Sequence, residues 1–435
     1  MRLATHLRTR RGFTLVEVLV AAGLCMLIML MITTAFQRAM DTLSQLKSVG
    51  EMQQRLRAFE TAVRGDLDAD HFAGGSGPRV RDQRADTLNS ISLANDTAPW
   101  RPAALGFFRI QQGKTGDGAS ATTFKNYGKS YVEGFDTDGN PSTRATDHLL
   151  HMTVKRNASR GDKVFSAAMP TAFAVNMNAM QSLNMMQMAT TGNTVISDWA
   201  EVVYFLDTTN SIGNTPGGVP LYGLYRRTRI LPGSGDPSTM SWNTLTSGMS
   251  TNDKVACQTL SHSAVTGMLN GPKEVRDPRN RLGGITALRG GTSIDNIVAE
   301  TDSSGLIGSD LLVTDVISFE IKADWDGGTR APGQQDATAS LTLGNNLADR
   351  STWTYEFPFS DLPETPGSRN TVLANSRVFD TWYDSQSDNW VKPASGAATG
   401  ETLPQPMRLR AIQIKVRVWD RKNNMARQVT IVQDL

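Results

Sequence analysis

Apolar residues fall into three successive patterns along the chain, and each predicts a different element. From Phe13 to Phe36 the apolar run is almost unbroken, with Thr14, Glu17, Thr33 and Thr34 its clearly polar members. As a helix it would rise roughly 36 Å at ~1.5 Å per residue, enough for a ~30 Å hydrocarbon core. The second pattern is a stripe. Leu43, Leu46, Val49, Met52, Leu56, Phe59, Val63 and Leu67 recur every three or four residues, opposed by Gln37, Arg38, Asp41, Lys47, Glu51, Arg55, Arg57 and Glu60. This is the amphipathic continuation of the same helix. It stops at Ala73-Gly74-Gly75-Ser76-Gly77-Pro78, with Gly50 and Gly65 as points where it can bend. Over Met52–Leu67 the stripe reads as packing against the chain's own sheet. From Met40 to Val49, packing on a second molecule explains it equally well.

The third pattern is β. Ala104–Ile110, His148–Lys155, Trp199–Leu206 and Leu221–Ile230 are rich in aromatic and β-branched residues. In Val316–Asp324, Ile317, Phe319, Ile321 and Ala323 alternate with Ser318, Glu320, Lys322 and Asp324. In Leu409–Trp419, Ile412, Ile414, Val416 and Val418 alternate with Gln413, Lys415 and Arg417, and after a turn at Asp420–Asn424 the chain returns through Val429–Val432. One-sided alternation implies an antiparallel sheet with one covered face, and the N-terminal helix is the obvious cover. The expected class is α+β: a long N-terminal helix, half membrane-spanning and half amphipathic, packed on an antiparallel β-sheet with long loop insertions. Those insertions are Gln112–Thr146, Met177–Asn193, Gly233–Lys254, Ser261–Ser293, Gly327–Asp349 and Asp384–Pro406, all rich in small and polar residues. Met169–Met188, with six methionines, reads as a short buried helix ahead of an adaptable binding surface.

At 435 residues the chain can bury a sizeable core. Its charge is balanced, which argues against bulk nucleic-acid binding. Arg55/Arg57 and Arg226/Arg227/Arg229 read as solvated faces. Cys25 in the apolar run and Cys257 far from it in sequence form no plausible disulfide, so the fold is expected to rely on packing alone.

Glu17 is the exception inside the apolar run. An acid at the centre of a spanning helix costs on the order of 2.5–3.5 kcal/mol, and less one turn from its end. Either it reaches the headgroups or it has a partner. The flanks bear on the choice. Residues 1–12 carry Arg2, Arg8, Arg10 and Arg11 and no acid, which keeps that end in the cytoplasm. The apolar core is too long for a secretory signal peptide and has no cleavage site after it.

Taken together, Gly12-Phe13-Thr14-Leu15-Val16-Glu17 followed by an apolar helix resembles the type IV prepilin signature. The resemblance implies that prepilin peptidase cuts between Gly12 and Phe13 and methylates the new N-terminus at Phe13. It implies that Glu17, the fifth residue of the product, pairs with a neighbouring subunit's amino group and sets the stagger between subunits. Cleavage would take the 44 basic residues to 40 against 42 acidic ones, moving the net charge from +2 to −2. The division expected is residues 1–12 as leader, 13–36 as membrane half-helix, 37–72 as amphipathic half-helix and 79–435 as a periplasmic β-rich domain.

A second resemblance lies downstream. Gln53-Gln54-Arg55-Leu56-Arg57-Ala58-Phe59 with Arg64-Gly65-Asp66-Leu67, the strand Asp315–Ile321, the hairpin opening Pro406-Met407-Arg408-Leu409-Arg410, and Trp199–Asp207 followed by Leu221–Arg227 are similar to type II secretion minor pseudopilin J and the pilus minor pilin W group. Glu17 argues against the minor pseudopilin K group, which typically lacks that acid. The resemblance implies a minor pseudopilin anchored by a single pass in the inner (cytoplasmic) membrane, with a cytoplasmic N-terminus. It would help to start a short periplasmic filament. Its implied partners are prepilin peptidase, other minor and major pseudopilins, the inner-membrane assembly platform and membrane lipid. Nucleic acid is not among them. A pilus minor pilin using its loops for adhesion or DNA uptake, and a binding protein on an uncleaved anchor, stay open as alternatives.

No enzyme motif, cofactor site or metal-site spacing accompanies these signals. His148 and His151 fall on opposite faces of a strand, and no GxSxG, P-loop or HExxH sequence occurs. Asp136, Asp138 and Asn140 resemble the start of a calcium loop, but Pro141 replaces the required glycine, so a solvated turn is the simpler reading. Asp324-Trp325-Asp326-Gly327-Gly328 reads as a hairpin turn, and Asn157-Ala158-Ser159 fits a glycosylation sequon.

Overall fold

A computed structural model describes residues 14–72, 105–112, 114–115, 131–132, 134–135, 141–142, 144–156, 164–182, 189–191, 193–208, 210–232, 241–263, 266–283, 309–327, 362, 377–381 and 407–435. The chain divides into two compact units, Met1–Gln54 and Arg55–Leu435.

The described part of the first unit is helix. α1 runs from Leu15 to Leu67, crossing the unit boundary without interruption. Its apolar stretch is long enough and apolar enough to cross a membrane. The hydroxyls inside that stretch are satisfied locally: Thr33 Oγ1 donates to Met29 O at 2.8 Å and Thr34 Oγ1 to Met31 O at 2.9 Å. Hydroxyls bonded back onto their own helix can be carried into lipid at little cost.

The second unit is built on a sheet. Its strands of three or more residues are β1 (Phe108–Gln112), β2 (Leu149–Lys155), β3 (Phe165–Ala168), β4 (Ala189–Thr191), β5 (Thr194–Ser197), β6 (Trp199–Asp207), β7 (Pro220–Leu231), β8 (Ser309–Gly327), β9 (Arg377–Asp380), β10 (Met407–Asp420) and β11 (Met425–Asp434). The principal sheet has the order β9-β1-β2-β6-β7-β8-β10-β11, with the short strand Gly213–Asn214 paired to β7. All these pairings are antiparallel, with Met152 opposite Val202, Val202 opposite Thr228, Phe319 opposite Val416 and Ile414 opposite Ile431. β3, β5 and β4 form a separate three-stranded sheet. The Met-rich stretch does form a helix, α2 (Thr171–Ser182), which buries Phe173, Ala174 and Met177.

The principal sheet curls. β8 follows β7 as far as Val316, then continues beside β10 alone. Its other edge meets the start of the sheet: Phe319 N donates to Ala145 O, Ile321 N to His148 Nδ1, and Gln112 Nε2 to Ile321 O. Asp315, with φ of 58°, sits where the strand changes neighbours. The Asp315 side chain accepts from Arg421 Nε at 2.6 Å, which helps hold this left-handed backbone.

Both faces of the central strands are covered, contrary to the one-sided expectation. All nine residues of β6 are buried. On one face lies the end of α1, where Leu56, Phe59, Val63 and Leu67 are buried. Asp66 accepts from Tyr204 Oη at 2.6 Å and from Arg226 Nε and Nη2 at 2.7 and 3.0 Å. On the opposite face Leu282 packs with Leu149, Val203 and Phe205, and Val275 with Phe107, Trp199 and Leu231. Part of the Ser261–Ser293 insertion, expected to be decoration, is therefore a structural layer.

Several further expectations are corrected. Arg227 and Arg229 are buried, and Arg226 is tied to Asp66, so this trio is not a solvated face. The fold uses buried ion pairs as well as packing. Asp324–Gly327 continues β8, with Trp325 opposite Leu409 and Gly327 opposite Met407, and is not a turn. α1 ends at Leu67, before the glycine cluster, because the chain is captured there by the sheet: Lys155 N donates to Asp70 O at 2.7 Å and Thr153 Oγ1 to His71 O at 2.7 Å. The loop Asp136–Asn140, the sequon at Asn157 and most of the two longest late insertions lie outside the described residues.

Candidate functional site

α1 begins with a reciprocal cap. Thr14 N donates to Glu17 Oε2 at 2.9 Å, Thr14 Oγ1 donates to the same oxygen at 3.0 Å, and Glu17 N donates to Thr14 Oγ1 at 3.3 Å. A threonine followed three residues later by a glutamate is a capping box, which satisfies amide groups that the first helical turn leaves without partners. A carboxylate there also complements the positive end of the helix dipole. The structure therefore gives Glu17 a local role, and places its carboxylate at the extreme start of the described chain. Among the described residues it has no cationic partner. Gly12 and Phe13 lie outside the described residues. The role of Thr14 was missed in the sequence, although the T-x-x-E spacing carries its signature.

From this cap onward the helix surface is bare. Every residue from Thr14 to Lys47 is exposed, including Leu15 at 78%, Met26 at 75% and Met29 at 69%. Exposed apolar surface on this scale requires lipid or another protein around it.

The second cluster with chemical character lies inside the β unit, between the sheet and the 261–282 layer. Glu201 Oε1 accepts from Leu282 N at 2.8 Å and is 2.8 Å from His151 Nε2, while Glu201 Oε2 accepts from Ser261 Oγ at 2.7 Å. Asn270 Nδ2 donates to Ser261 Oγ at 3.1 Å. Beside them Arg281 grips Asp380 through Nη1 at 2.7 Å and Nη2 at 3.1 Å, its guanidinium lying over the Phe107 ring. Arg109 Nη1 lies 3.5 Å from Asp380.

Burial pushes the Glu201 carboxyl up, but bonds from His151, Ser261 and the Leu282 amide outweigh it and bring the group down to about 2. Burial lowers His151, opposed by Glu201 and reinforced by Arg281 and Arg109. Burial likewise brings Arg109 down to about 10. His262, stacked on Trp242 with ring centroids 4.0 Å apart, is brought down to about 3 by burial and by Arg229.

Serine, histidine and glutamate thus meet here, but both side-chain donors converge on the carboxylate. Nucleophilic catalysis needs the serine bonded to the histidine, and these three groups are all buried. The cluster joins the 261–282 layer to the sheet. Cys257 is buried, with its thiol raised to about 12 by burial and Asp253, and Cys25 is free within the apolar helix. Among the described residues no group of His, Cys, Asp and Glu is arranged to hold a metal.

Comparison with known proteins bears on the first of these sites. The family model described as the prokaryotic N-terminal methylation motif matches residues 7–33, which include Gly12, Phe13 and Glu17. No curated protein and no solved structure matches the chain. The chain therefore carries a type IV prepilin-like N-terminal motif on an apolar helix, which points to membrane anchoring, processing by prepilin peptidase and a structural, pilin-type protein that assembles with others.

Proposed function

We propose that this protein is a minor pseudopilin of a type II secretion system, a subunit that helps to start and build a short periplasmic filament. The observation that carries the reading is the coincidence of the methylation motif at residues 7–33 with an acid-capped, fully exposed apolar helix. In this reading residues 1–12 are removed by cleavage between Gly12 and Phe13, and Phe13 is methylated. Residues 13–36 anchor the subunit by a single pass in the inner membrane, and residues 79–435 form the periplasmic domain.

The bare helix is the part of the subunit that changes surroundings. In the bilayer its apolar side chains meet lipid, and in a filament they meet equivalent helices, so the transfer exchanges one apolar neighbour for another. The discriminating interaction is then polar. Glu17 can give up its local cap to a neighbour's new amino group, pairing two charges that are each costly to bury alone. Its partners are the other minor and major pseudopilins and the inner-membrane assembly platform.

N-terminal sequencing and mass measurement of the membrane-purified protein test the reading. The expected product begins at Phe13 and carries one added methyl group. Gly12→Ala should leave the full-length chain in the membrane as an unshifted band. A normal shift in that variant, or a parent chain that keeps its arginine-rich start, removes the processing claim. A pilus minor pilin shares every one of these properties, and exposure of the filament beyond the cell surface separates the two.

A further inference from the structure

α1 contains three glycines, Gly23, Gly50 and Gly65, and a Cβ added at any of them would meet nothing within 4 Å. Among the described residues no packing requires glycine at these positions, although glycine in a helix interior is unfavourable relative to alanine. The three differ in their surroundings. Gly23 lies in the apolar stretch. Gly65 lies between Arg64, which donates to Val432 O at 3.0 Å, and Asp66, which is bonded to Tyr204 and Arg226. The backbone at Gly65 is held whichever residue occupies it.

Gly50 has neither setting. It closes the segment Asp41-Thr42-Leu43-Ser44-Gln45-Leu46-Lys47-Ser48-Val49-Gly50, in which Asp, Thr, Ser, Val and Gly are all weak helix formers. Tertiary packing normally sustains such a helix, yet Leu43 and Leu46 are 61% and 62% exposed. Thr42 Oγ1 donates back to Arg38 O at 2.9 Å, a bond that competes with the helix ladder and favours bending. The Lys47–Glu51 pair, 3.8 Å apart and solvent-exposed, adds little. Buried positions begin only at Leu56.

We propose that Asp41–Gly50 is a compliant joint in α1, with Gly50 as its pivot. The segment opens and recloses locally while the apolar stretch and the clamped end at Leu56–Leu67 stay helical. Its use rests on the prepilin-type reading: the joint lets the anchoring helix change its tilt when a subunit leaves the bilayer for the filament.

Hydrogen exchange on the full chain in lipid nanodiscs tests the joint. Amides of residues 43–50 are expected to exchange faster than those of Leu56–Leu67. Gly50→Ala should slow them about fivefold, equivalent to ~1 kcal/mol, whereas Gly65→Ala should leave them unchanged. Exchange over residues 43–50 as slow as over Leu56–Leu67, or unmoved by Gly50→Ala, would overturn the joint. In cells, Gly50→Ala should be cleaved and anchored like the parent but recovered less in filaments, and equal recovery would overturn its use in assembly. A parent chain that is never cleaved would remove only the prepilin-type reading, because the exchange measurement does not depend on cleavage.

Discussion

At the scale of single residues, Glu17 serves the Thr14 cap and, in the proposed reading, a neighbouring subunit's amino group as well. In the isolated chain Glu17 Oε2 accepts from both Thr14 N and Thr14 Oγ1. The cap holds the carboxylate in place at the start of the helix. Among the described residues the cap uses only Oε2, so a neighbour's amino group can approach Oε1 and displaces the cap only where it takes both oxygens. A capping side chain contributes about 0.5–2 kcal/mol, less than the several kcal/mol at stake when a buried charge is left alone. The intersubunit pair should win once the helices are side by side. Glu17→Val is accordingly expected to leave leader removal intact while sharply reducing incorporation into filaments, read by immunoblot of membrane and sheared fractions. Incorporation equal to the parent's would count against the register role. The acid itself was legible in the sequence as an expensive residue in an apolar run. The cap was legible too, as T-x-x-E, but only once the helix start was placed at Leu15.

At the scale of elements, one regular-looking stripe covers two different situations. Leu43 to Leu67 reads as a single apolar face, yet Leu43 and Leu46 are exposed while Phe59 and Leu67 are fully buried. Spacing reports which residues share a face of a helix. It does not report what lies opposite, and that depends on where the sheet ends. Phe59→Ala should therefore cost about 3–5 kcal/mol of stability, whereas Leu43→Ala should leave the stability of the β unit unchanged. Denaturant titration of the two variants, followed by tryptophan fluorescence, checks the difference, and equal losses would refute it. Period alone placed β10 to within two residues at each end, and caught only the later half of β8, which begins seven residues before Val316, at Ser309. The layer at 261–282 was not legible because its apolar contacts, Val275 and Leu282, are isolated and follow no period, and its polar ones, Ser261 and Arg281, read as loop when their partners are unknown. β7 misled for a related reason: the polar run Arg226-Arg227-Thr228-Arg229 reads as a solvated strand end, but layers on both faces of the sheet cover it.

At the scale of the whole β unit, the covering layer makes stability depend on pH through groups far from the helix. Both His151 and His262 are held below the ordinary imidazole value, so the unfolded chain binds protons that the folded one refuses. Stability is then fully present above the unfolded value of ~6.5 and falls as pH drops below it, by up to about 1.4 kcal/mol per pH unit for each histidine. For His262 the fall continues toward its folded value of about 3. Glu201, lowered to about 2, acts in the same direction at lower pH, its contribution being lost between the unfolded value of ~4.3 and that figure. Thermal melts of the full chain should therefore be flat from pH 8 to 7 and shift steadily to lower temperature from pH 6.5 to 5. His262→Gln should remove part of that slope, since glutamine takes up no proton in either state. A Tm that holds constant or rises over the acid range would mean that the histidines are not kept neutral, and that the 261–282 layer is looser on the sheet than the bonds from Ser261 and Leu282 to Glu201 require.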